Sequence, residues 1–298
     1  NMMVSIVIPT YKRSSYLCNA IESALAQSYS DIEIIIVDDN GLGTEYQKQT
    51  EQMIEKYRDD GRIKYLPLEK NSGGAMARNA GINAANGEFI AFLDDDDEYL
   101  PEKTEIQVAE MQKNGWDVSV MDGATYNEKG ELLSRKIQML RNGMTPDELM
   151  VVHLMYHISG TNTFMFKAEA IRRIGGFMNI AACQEYMLMM RVLEAELSIG
   201  YINKTLIRNY IRSGERLSTG VKKYKSEKIM YKAKKEHFSC LTHSQRRYVS
   251  CRHYGVLGYV QMKRKKYLSA LFYLVCAGVC SPIGALNIFK EYKGKFLQ

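Results

Sequence analysis

The run Ile32–Val37, β-branched at every position except Glu33, most narrows what this chain can fold into. A strand so uniformly apolar is typical of a parallel sheet that helices cover on both faces. Val4–Ile8 and Phe89–Leu93 are two further apolar runs of strand length. Helical patterns separate these runs as far as Asn114, and the alternation of strand and helix predicts a doubly wound α/β sheet.

Beyond the helix expected at Glu102–Asn114 the alternation loosens. A hairpin is predicted where Val118–Tyr126 and Leu132–Ile137 flank a Glu-Lys-Gly turn. Past about Ser213 the chain has only helical patterns. Between the hairpin and that point we expect helices at Asp147–Met155, Glu169–Ile174 and Cys183–Glu196, and strands near Thr163–Phe166 and Leu206–Ile211.

Charge is distributed unevenly along the 298 residues, whose overall net charge is +6. Residues 1–203 hold 19 Lys/Arg against 30 Asp/Glu, a net −11, whereas residues 204–298 hold 21 against 4, a net +17. A basic region of this kind attracts anionic surfaces, which are nucleic acids or anionic membrane leaflets. No recognisable RNA- or DNA-binding motif accompanies the Lys/Arg excess, so we expect no nucleic-acid partner.

The six cysteines, at positions 18, 183, 240, 251, 276 and 280, form no CxxC pair. That spacing fits a reduced chain better than a disulfide scaffold or a zinc site. No basic segment followed by an apolar stretch opens the sequence, so no secretory signal is predicted. We therefore expect a cytoplasmic protein, placed at the inner face of the cell membrane if its basic region binds lipid.

Four consecutive carboxylates, Asp94–Asp97, follow directly on the apolar run Phe89–Leu93. Open α/β sheets bind ligands beyond the carboxyl ends of their strands. Carboxylates crowded there repel one another unless a cation neutralises them. Hard oxygen ligands suit Mg²⁺ or Mn²⁺, ions that commonly also hold phosphate oxygens. The structural alternative is a solvated acidic loop before the helix near Pro101, but the buried strand end favours a ligand site.

Two other segments are expected at the same sheet edge, since Pro9–Arg13 follows the first strand and Asp38–Asn40 follows the second. The ring of Tyr11 can stack on a base, and the carboxylate of Asp38 can accept the imide N–H of uracil. Asn71–Asn79 adds a glycine turn that opens a helix, which is a candidate phosphate-proximal loop. The chain lacks GxGxxG and GxxxxGK[ST], which disfavours dinucleotide-binding and P-loop proteins.

Together, the segments VSIVIPTYKR, IIIVDDN and NSGGAMARNAGINAANGEFIAFLDDDDEYLPEK resemble the family 2 inverting glycosyltransferases, which have the GT-A fold. The resemblance covers residues 3–115 closely and extends more loosely to about residue 215. It implies an α/β domain with a mixed sheet, helices on both faces and a helical C-terminal extension. The expected division is a catalytic domain at 1–215, with a nucleotide-sugar half to about 115 and an acceptor half from about 116, and a basic extension at 216–298.

The resemblance also implies roles for individual residues. The D-x-D pair that binds the metal corresponds to Asp94 and Asp96, with Asp95 in contention because the register can slide by one. The implied reaction is inverting transfer from a UDP-sugar to a glycan or lipid-linked acceptor in cell-surface polysaccharide synthesis, with Mn²⁺ or Mg²⁺ as cofactor. The residues expected to contact the nucleotide-sugar are Thr10, Tyr11, Arg13, Asp38, Arg78, Asp94 and Asp95.

Glu185 corresponds to the catalytic base in this resemblance. Gly175–Phe177 and Ala182–Arg191 resemble the family's catalytic stretch, in which a carboxylate deprotonates the acceptor hydroxyl. Glutamate stands here where aspartate is commoner. The alternative is that Glu185 only occupies the first turn of a helix, where the dipole favours an acid.

Two features further along admit a functional and a structural interpretation. His153 and His157 have the i,i+4 spacing of metal ligands, but their apolar neighbours and the lack of a third ligand favour a structural or acceptor-cleft role. Arg216 lies in a stretch resembling one that follows the catalytic domain in many family members. It either reaches the diphosphate when its loop closes or begins the basic tail.

The segment Tyr267–Phe289 contains no charged residue, and lysine-rich segments flank it. Its length approaches that of a membrane span, but Ser281 and Pro282 interrupt it, so two helices of about 8–10 residues each fit better. Such helices pack on the catalytic domain, on another subunit or on a membrane. Peripheral membrane contact and a homodimer are therefore both open.

Two rival functions remain in view. A nucleotidyltransferase shares strand-end carboxylates and a nucleotide, but Pro9–Arg13 does not match its glycine-rich basic loop. A catalytically silent module that binds a nucleotide-sugar is the second rival, and the D-x-D pair with a candidate base argues against it.

Overall fold

The computed structural model describes residues 2–211 and 220–286. The described parts of 1–144, 158–179 and 188–213 form one compact unit, which we call the sheet unit. Those of 145–157, 180–187 and 214–298 form the other, which we call the helical unit. Two segments of the predicted catalytic domain, 145–157 and 180–187, thus group with the helical unit.

Within the described residues, nine strands form one sheet in the order β3-β2-β1-β4-β8-β6-β9-β5, with β7 paired to β6. The strands β1 to β4 run parallel, as the apolar runs predict. Strand β8 runs antiparallel to β4 and β6, so the sheet is mixed. The bounds are β1 Val4–Thr10, β2 Ile32–Asp38, β3 Ile63–Pro67, β4 Phe89–Phe92, β5 Glu98–Tyr99, β6 Val118–Tyr126, β7 Leu132–Lys136, β8 Met165–Lys167 and β9 Ile199–Tyr210.

The mixed sheet corrects the parallel sheet predicted from the alternation of elements and confirms the GT-A architecture that the resemblance implies. The strand expected near Thr163–Phe166 is also wrong in its first part. There Thr161–Thr163 forms a 3-10 turn, because the N–H and the hydroxyl of Thr163 both donate to the carbonyl of Gly160. Strand β9 begins earlier than the predicted Leu206 and pairs in parallel with β6.

Ten α-helices lie wholly within the described residues, besides the helical residues 282–286. The four helices predicted between Glu102 and Glu196 end within two residues of the observed bounds. One of them, α7, begins at Gln184 because Cys183 adopts a φ of 61°. The bounds are α1 Ser14–Leu25, α2 Glu45–Ile54, α3 Gly74–Ala84, α4 Lys103–Asn114, α5 Pro146–Tyr156, α6 Ala168–Arg173, α7 Gln184–Glu194, α8 Val221–Glu236, α9 His243–Lys263 and α10 Tyr267–Cys280.

Helix α3 lies unusually close to the sheet. A Cβ atom at Gly81 would fall 2.3 Å from Cγ1 of Val7 on β1, so a larger residue would push the helix away. Val7 itself is fully buried. This contact fixes the C-terminal half of α3 against the middle of β1.

The C-terminal helices differ in length from the pair predicted for Tyr267–Phe289. A single helix, α10, extends over 14 residues, and residues 282–286 are helical again after a break. The break falls at Ser281, whose hydroxyl accepts the N–H of Gly284 and starts the next turn with Pro282. Among the described residues, no helix combines the length and apolar character that a membrane span requires.

Lys103, in the first turn of α4, is fully buried in the sheet unit. Its Nζ lies 3.8 Å from the centroid of the Tyr99 ring, and it has no hydrogen-bond partner among the described residues. Burial lowers the pKa of Lys103 well below its ordinary value. An amine held this way costs stability, because water would solvate it in the unfolded chain.

We expect Lys103→Met to raise the free energy of unfolding by about 1–3 kcal/mol near pH 7. Because burial lowers the native pKa of Lys103, the unfolded chain binds this proton more tightly than the native state does. Wild-type stability therefore rises with pH between the native pKa and the ordinary lysine pKa. The gain should therefore shrink between about pH 7 and about pH 9.5. Urea unfolding at both pH values tests this, with Lys113→Met, at the exposed end of the same helix, as the control. An equal gain at both pH values would contradict it.

Candidate functional site

The four aspartates after β4 point alternately outward and inward. The side chains of Asp94 and Asp96 are 34% and 16% exposed, whereas that of Asp95 is 7% exposed and Asp97 is buried. Arg78 pairs with Asp94, and Arg13 Nη1 lies 2.5 Å from Asp96 Oδ2. The segment forms a turn, in which the Asp97 N–H donates to the Asp94 carbonyl at 3.1 Å. The more accessible pair in this turn is Asp94 with Asp96.

The two inward carboxylates are held by hydrogen bonds from three elements. Thr10 Oγ1, at the end of β1, donates to Asp95 Oδ2 at 2.7 Å, and Arg13 Nη1 lies 3.5 Å from Asp95 Oδ1. The Tyr210 N–H donates to Asp97 Oδ1 at 2.7 Å. Burial, with the nearby negative charge, raises the pKa of Asp95 to about 7 and that of Asp97 well above its ordinary value.

Asn162 connects both sets of aspartates. Its Oδ1 accepts the N–H of Asp94 at 2.9 Å, while its Nδ2 donates to Asp97 Oδ2 at 2.5 Å and to Asn209 Oδ1 at 3.0 Å. The side chain is buried. It therefore fixes the direction of the segment from which Asp94 and Asp96 project.

The carboxylates at the end of β2 are also engaged. Asp38 is fully buried, and it accepts hydrogen bonds from Asn40 and from Tyr65 Oη at 2.7 Å. Asp39 accepts the N–H groups of Ser72 at 2.7 Å and Gly73 at 2.9 Å. The glycine turn predicted as a phosphate-proximal loop is thus held by Asp39, and Gly73 suits it because its φ of 86° disfavours side chains.

Tyr11 is partly exposed just beyond β1. Lys12 Nζ lies 5.0 Å from the ring centroids of both Tyr11 and Tyr46, and the Lys12 N–H donates to Asn40 Oδ1 at 2.9 Å. The hydrogen bond ties this aromatic surface to the end of β2. A planar ring system can stack there at the same sheet edge as the aspartates.

The Gly175–Phe177 loop is joined to α3. Asn79 accepts the N–H of Phe177 at 2.8 Å and donates to its carbonyl at 2.9 Å. The Phe177 ring lies 5.2 Å from that of Phe92 on β4 and 5.6 Å from the guanidinium carbon of Arg78. The loop thus supports the arginine that pairs with Asp94.

Glu185 lies in the helical unit, in the first turn of α7. The loop before it is anchored on α8, because Ser226 Oγ accepts the N–H of Ala182 at 3.2 Å and Lys223 Nζ lies 3.2 Å from Cys183 Sγ. The Glu185 side chain is neither buried nor fully exposed. A carboxylate in this position is accessible to solvent while its backbone is fixed.

The paired histidines belong to a packed cluster in the same unit. His153 is fully buried, stacks on the Tyr186 ring at 4.0 Å, and contacts the Tyr186 carbonyl through Nε2 at 3.1 Å. His157 Nε2 lies 2.7 Å from Lys234 Nζ, and burial lowers the pKa of Lys234 to about 8. These contacts give both histidines structural partners. Arg216 lies outside the described residues.

The described residues contain no group of three or more His, Cys, Asp or Glu side chains that could hold a metal ion. The donors at the end of β4 are instead the two accessible carboxylates, Asp94 and Asp96, each facing an arginine cation. Magnesium is commonly held by one or two carboxylates together with substrate phosphates and water. The pair therefore fits a divalent cation whose remaining ligands come from a phosphorylated substrate.

The fold resembles that of a solved structure. The crystal structure of S. aureus TarS 1–349 in complex with UDP-GlcNAc gives a TM-score of 0.67, covering 99% of this chain and 92% of that one at 18% identity. At this identity the likeness shows the GT-A fold alone.

The family is shown by sequence. Residues 5–175 match the family model of Glycosyl transferase family 2, and the chain belongs to this family. It is 32% identical over 223 residues to an uncharacterised glycosyltransferase of Rickettsia conorii, covering 74% of this chain and 35% of that protein. It is 36% identical over 133 residues to the putative teichuronic acid biosynthesis glycosyltransferase TuaG of Bacillus subtilis, covering 42% of this chain and 51% of TuaG. The matches span 18–35% of the length of three similar Rickettsia proteins.

Sequence reasoning missed the residues that support the site. Asp39 was visible only as an ordinary turn residue after a strand. Asn162 has no signal in a single sequence, because Asp97 is 65 residues away. Asn162 directly precedes the segment Thr163–Phe166, which was expected to be a strand, and the 3-10 turn that aims it was not predicted.

We expect Asn162→Ala to lower the free energy of unfolding by about 1–3 kcal/mol, since it leaves the Asp94 N–H and the Asp97 carboxylate without this partner in a buried setting. Urea denaturation measures the change. Asn142→Ala is the control, because the Asn142 side chain makes two hydrogen bonds to the backbone of Tyr201 but lies exposed. Equal losses of unfolding free energy in the two variants would show that the buried hydrogen bonds of Asn162 contribute no more than exposed ones.

Proposed function

We propose that this chain transfers a sugar from a UDP-sugar to a glycan or lipid-linked acceptor with inversion at the anomeric carbon. The observation that carries the proposal is the accessible pair Asp94 and Asp96 at the end of β4, each facing an arginine. Family 2 membership and the GT-A fold support it. The UDP-GlcNAc bound by TarS makes that nucleotide-sugar the first donor to test.

In this proposal the donor lies over the carboxyl ends of β1, β2 and β4. The uracil would stack on Tyr11. Arg13 and Arg78, which face Asp96 and Asp94, would pair with phosphate oxygens of the donor if these aspartates held a cation. The buried hydrogen bond from Thr10 to Asp95 holds the aspartate turn in place at the end of β1. Asp38 reaches the imide N–H only if Tyr65 or Asn40 turns away, because both now bond to its carboxylate.

Asp94 and Asp96 would hold Mn²⁺ or Mg²⁺, which supplies positive charge against the departing diphosphate. Glu185 is the proposed base. Its carboxylate takes the proton of the acceptor hydroxyl while the acceptor oxygen bonds to the anomeric carbon and the bond from that carbon to the diphosphate oxygen breaks. The products are the glycosylated acceptor and UDP, whereas a nucleotidyltransferase would release pyrophosphate.

We propose further that the reaction belongs to cell-surface polysaccharide synthesis and takes place on the cytoplasmic side of a membrane. The name of TuaG supports this setting, and so does the basic C-terminal region, which suits acceptors or surfaces that bear negative charge. The homodimer and the domain boundary at residues 215 and 216 stay predictions.

Calorimetric titration with UDP and with GDP, each with and without Mn²⁺, tests the donor site. We expect UDP to bind tightly only with Mn²⁺, and Asp96→Asn to weaken that binding by about tenfold or more, since even indirect partners of a metal site are worth about 10–100-fold in affinity. Asp59→Asn removes the same charge from an exposed loop and should leave the Kd unchanged. If neither UDP nor GDP binds, with or without Mn²⁺, the donor site is refuted.

For the base, we expect Glu185→Gln to lower kcat by about 10²–10⁴-fold while the Kd for UDP stays that of the wild type, since a positioned base contributes that much to proton transfer. UDP release in the presence of UDP-GlcNAc and a responsive acceptor measures the rate. Glu194→Gln, an exposed change at the far end of α7, is the control. Wild-type turnover in Glu185→Gln would assign the base to another residue.

A further inference from the structure

The outward face of α10 carries large apolar side chains, which we call the α10 stripe: Leu268, Leu271, Phe272, Val275 and Val279. They are 57–87% exposed. Their spacing of one, three and four residues puts them on one side of a helix. Ile283 and Leu286 extend the exposed apolar surface into residues 282–286.

The face of the same helix that packs on α9 combines small residues with Tyr273, whose ring stacks on that of Tyr254, and with part of Leu274. Ala270 and Ala277 are buried against α9, and Gly258 of α9 lies so close to Leu274 that a Cβ there would come within 2.8 Å of it. A surface helix of a globular protein normally turns its large apolar residues inward. The five side chains of the α10 stripe point away from α9 instead, so packing against α9 does not explain them.

Cations lie at both ends of the stripe. Lys263, Arg264, Lys265 and Lys266 directly precede α10. At the other end Arg247 Nε donates to the Cys280 carbonyl at 2.6 Å. Residues 237–290 contain 8 Lys/Arg and no Asp or Glu. The apolar stripe is therefore set in a region whose formal side-chain charges are all positive.

We infer that the α10 stripe docks on the surface of an anionic lipid bilayer. Aliphatic and aromatic side chains enter the acyl boundary, and lysines beside them meet the headgroups, as in interfacial amphipathic helices. A second copy is a poorer partner. Parallel pairing of two stripes sets the Lys263–Lys266 segments against each other, and antiparallel pairing sets each segment near Arg247 of the other copy.

Helix α10 would lie in the plane of the bilayer. Its 14 residues extend about 21 Å, which is less than the roughly 30 Å of a hydrocarbon core. Attachment through one face leaves the remaining surface of the chain in water. This inference goes beyond the transfer reaction and does not depend on it, so either can fail alone.

Vesicle sedimentation of the full chain tests the inference. We expect binding to vesicles of equal parts phosphatidylglycerol and phosphatidylcholine, little binding to phosphatidylcholine alone, and loss at high salt. The pair Leu271→Asp with Phe272→Asp should reduce binding by about tenfold or more, because it removes apolar area and adds negative charge. Lys265→Ala and Lys266→Ala should each cost about fivefold. Leu133→Asp, which replaces an exposed leucine of β7, should leave vesicle binding unchanged.

Fluorescence distinguishes insertion from electrostatic contact. We expect the emission of Phe272→Trp to shift to the blue on anionic vesicles, whereas that of Leu133→Trp stays unchanged. Wild-type vesicle binding by the Leu271→Asp, Phe272→Asp variant would overturn the inference. So would a loss of self-association in that variant, measured by sedimentation velocity, without loss of vesicle binding, because the occupant would then be a second copy.

Discussion

The crowding of four carboxylates after β4 is the constraint on which the rest of the sheet unit depends. Like charges in a partly desolvated segment cannot all face the same environment. The structure separates them by turning Asp95 and Asp97 inward, where Thr10 of β1, Asn162 of the 3-10 turn and the Tyr210 N–H of β9 receive them. The ends of those three elements must therefore meet at the end of β4, which connects the parallel half of the sheet to the mixed half.

The same logic organises the neighbouring strand end. Asp39 accepts backbone N–H groups from the turn that begins α3, and Asp38 is closed off by Asn40 and Tyr65. These bonds satisfy the buried polar groups before any ligand arrives, so the outward side chains project from a fixed frame. Preorganisation of this kind lowers the cost of ordering the site when a ligand binds.

Sequence reasoning reached the features that repeat locally and missed those that depend on distant partners. Apolar runs located β1, β2 and β4, and the position of Asp94–Asp97 after a buried strand was enough to mark a candidate site. The antiparallel insertion of β8 between β4 and β6 was not predictable from alternation, since Met165–Lys167 is only three residues long. The partners of Asp97 lie 65 and 113 residues away, at separations where one sequence gives no pairing information.

Net charge indicates the chemistry of the two regions only when it is resolved to individual residues. The acidic residues 1–203 contain the site proposed for an anionic donor, which is possible because Arg13 and Arg78 supply local positive charge beside Asp94 and Asp96. Among the described residues of the sheet unit, no Lys or Arg from residues 204–298 pairs with Asp94 or Asp96. The positive charge of this basic region instead surrounds a helix that buries alanines and exposes leucine, phenylalanine and valine. In water that arrangement is unfavourable, and the anionic bilayer proposed above would bury these side chains beside lysines that meet its headgroups.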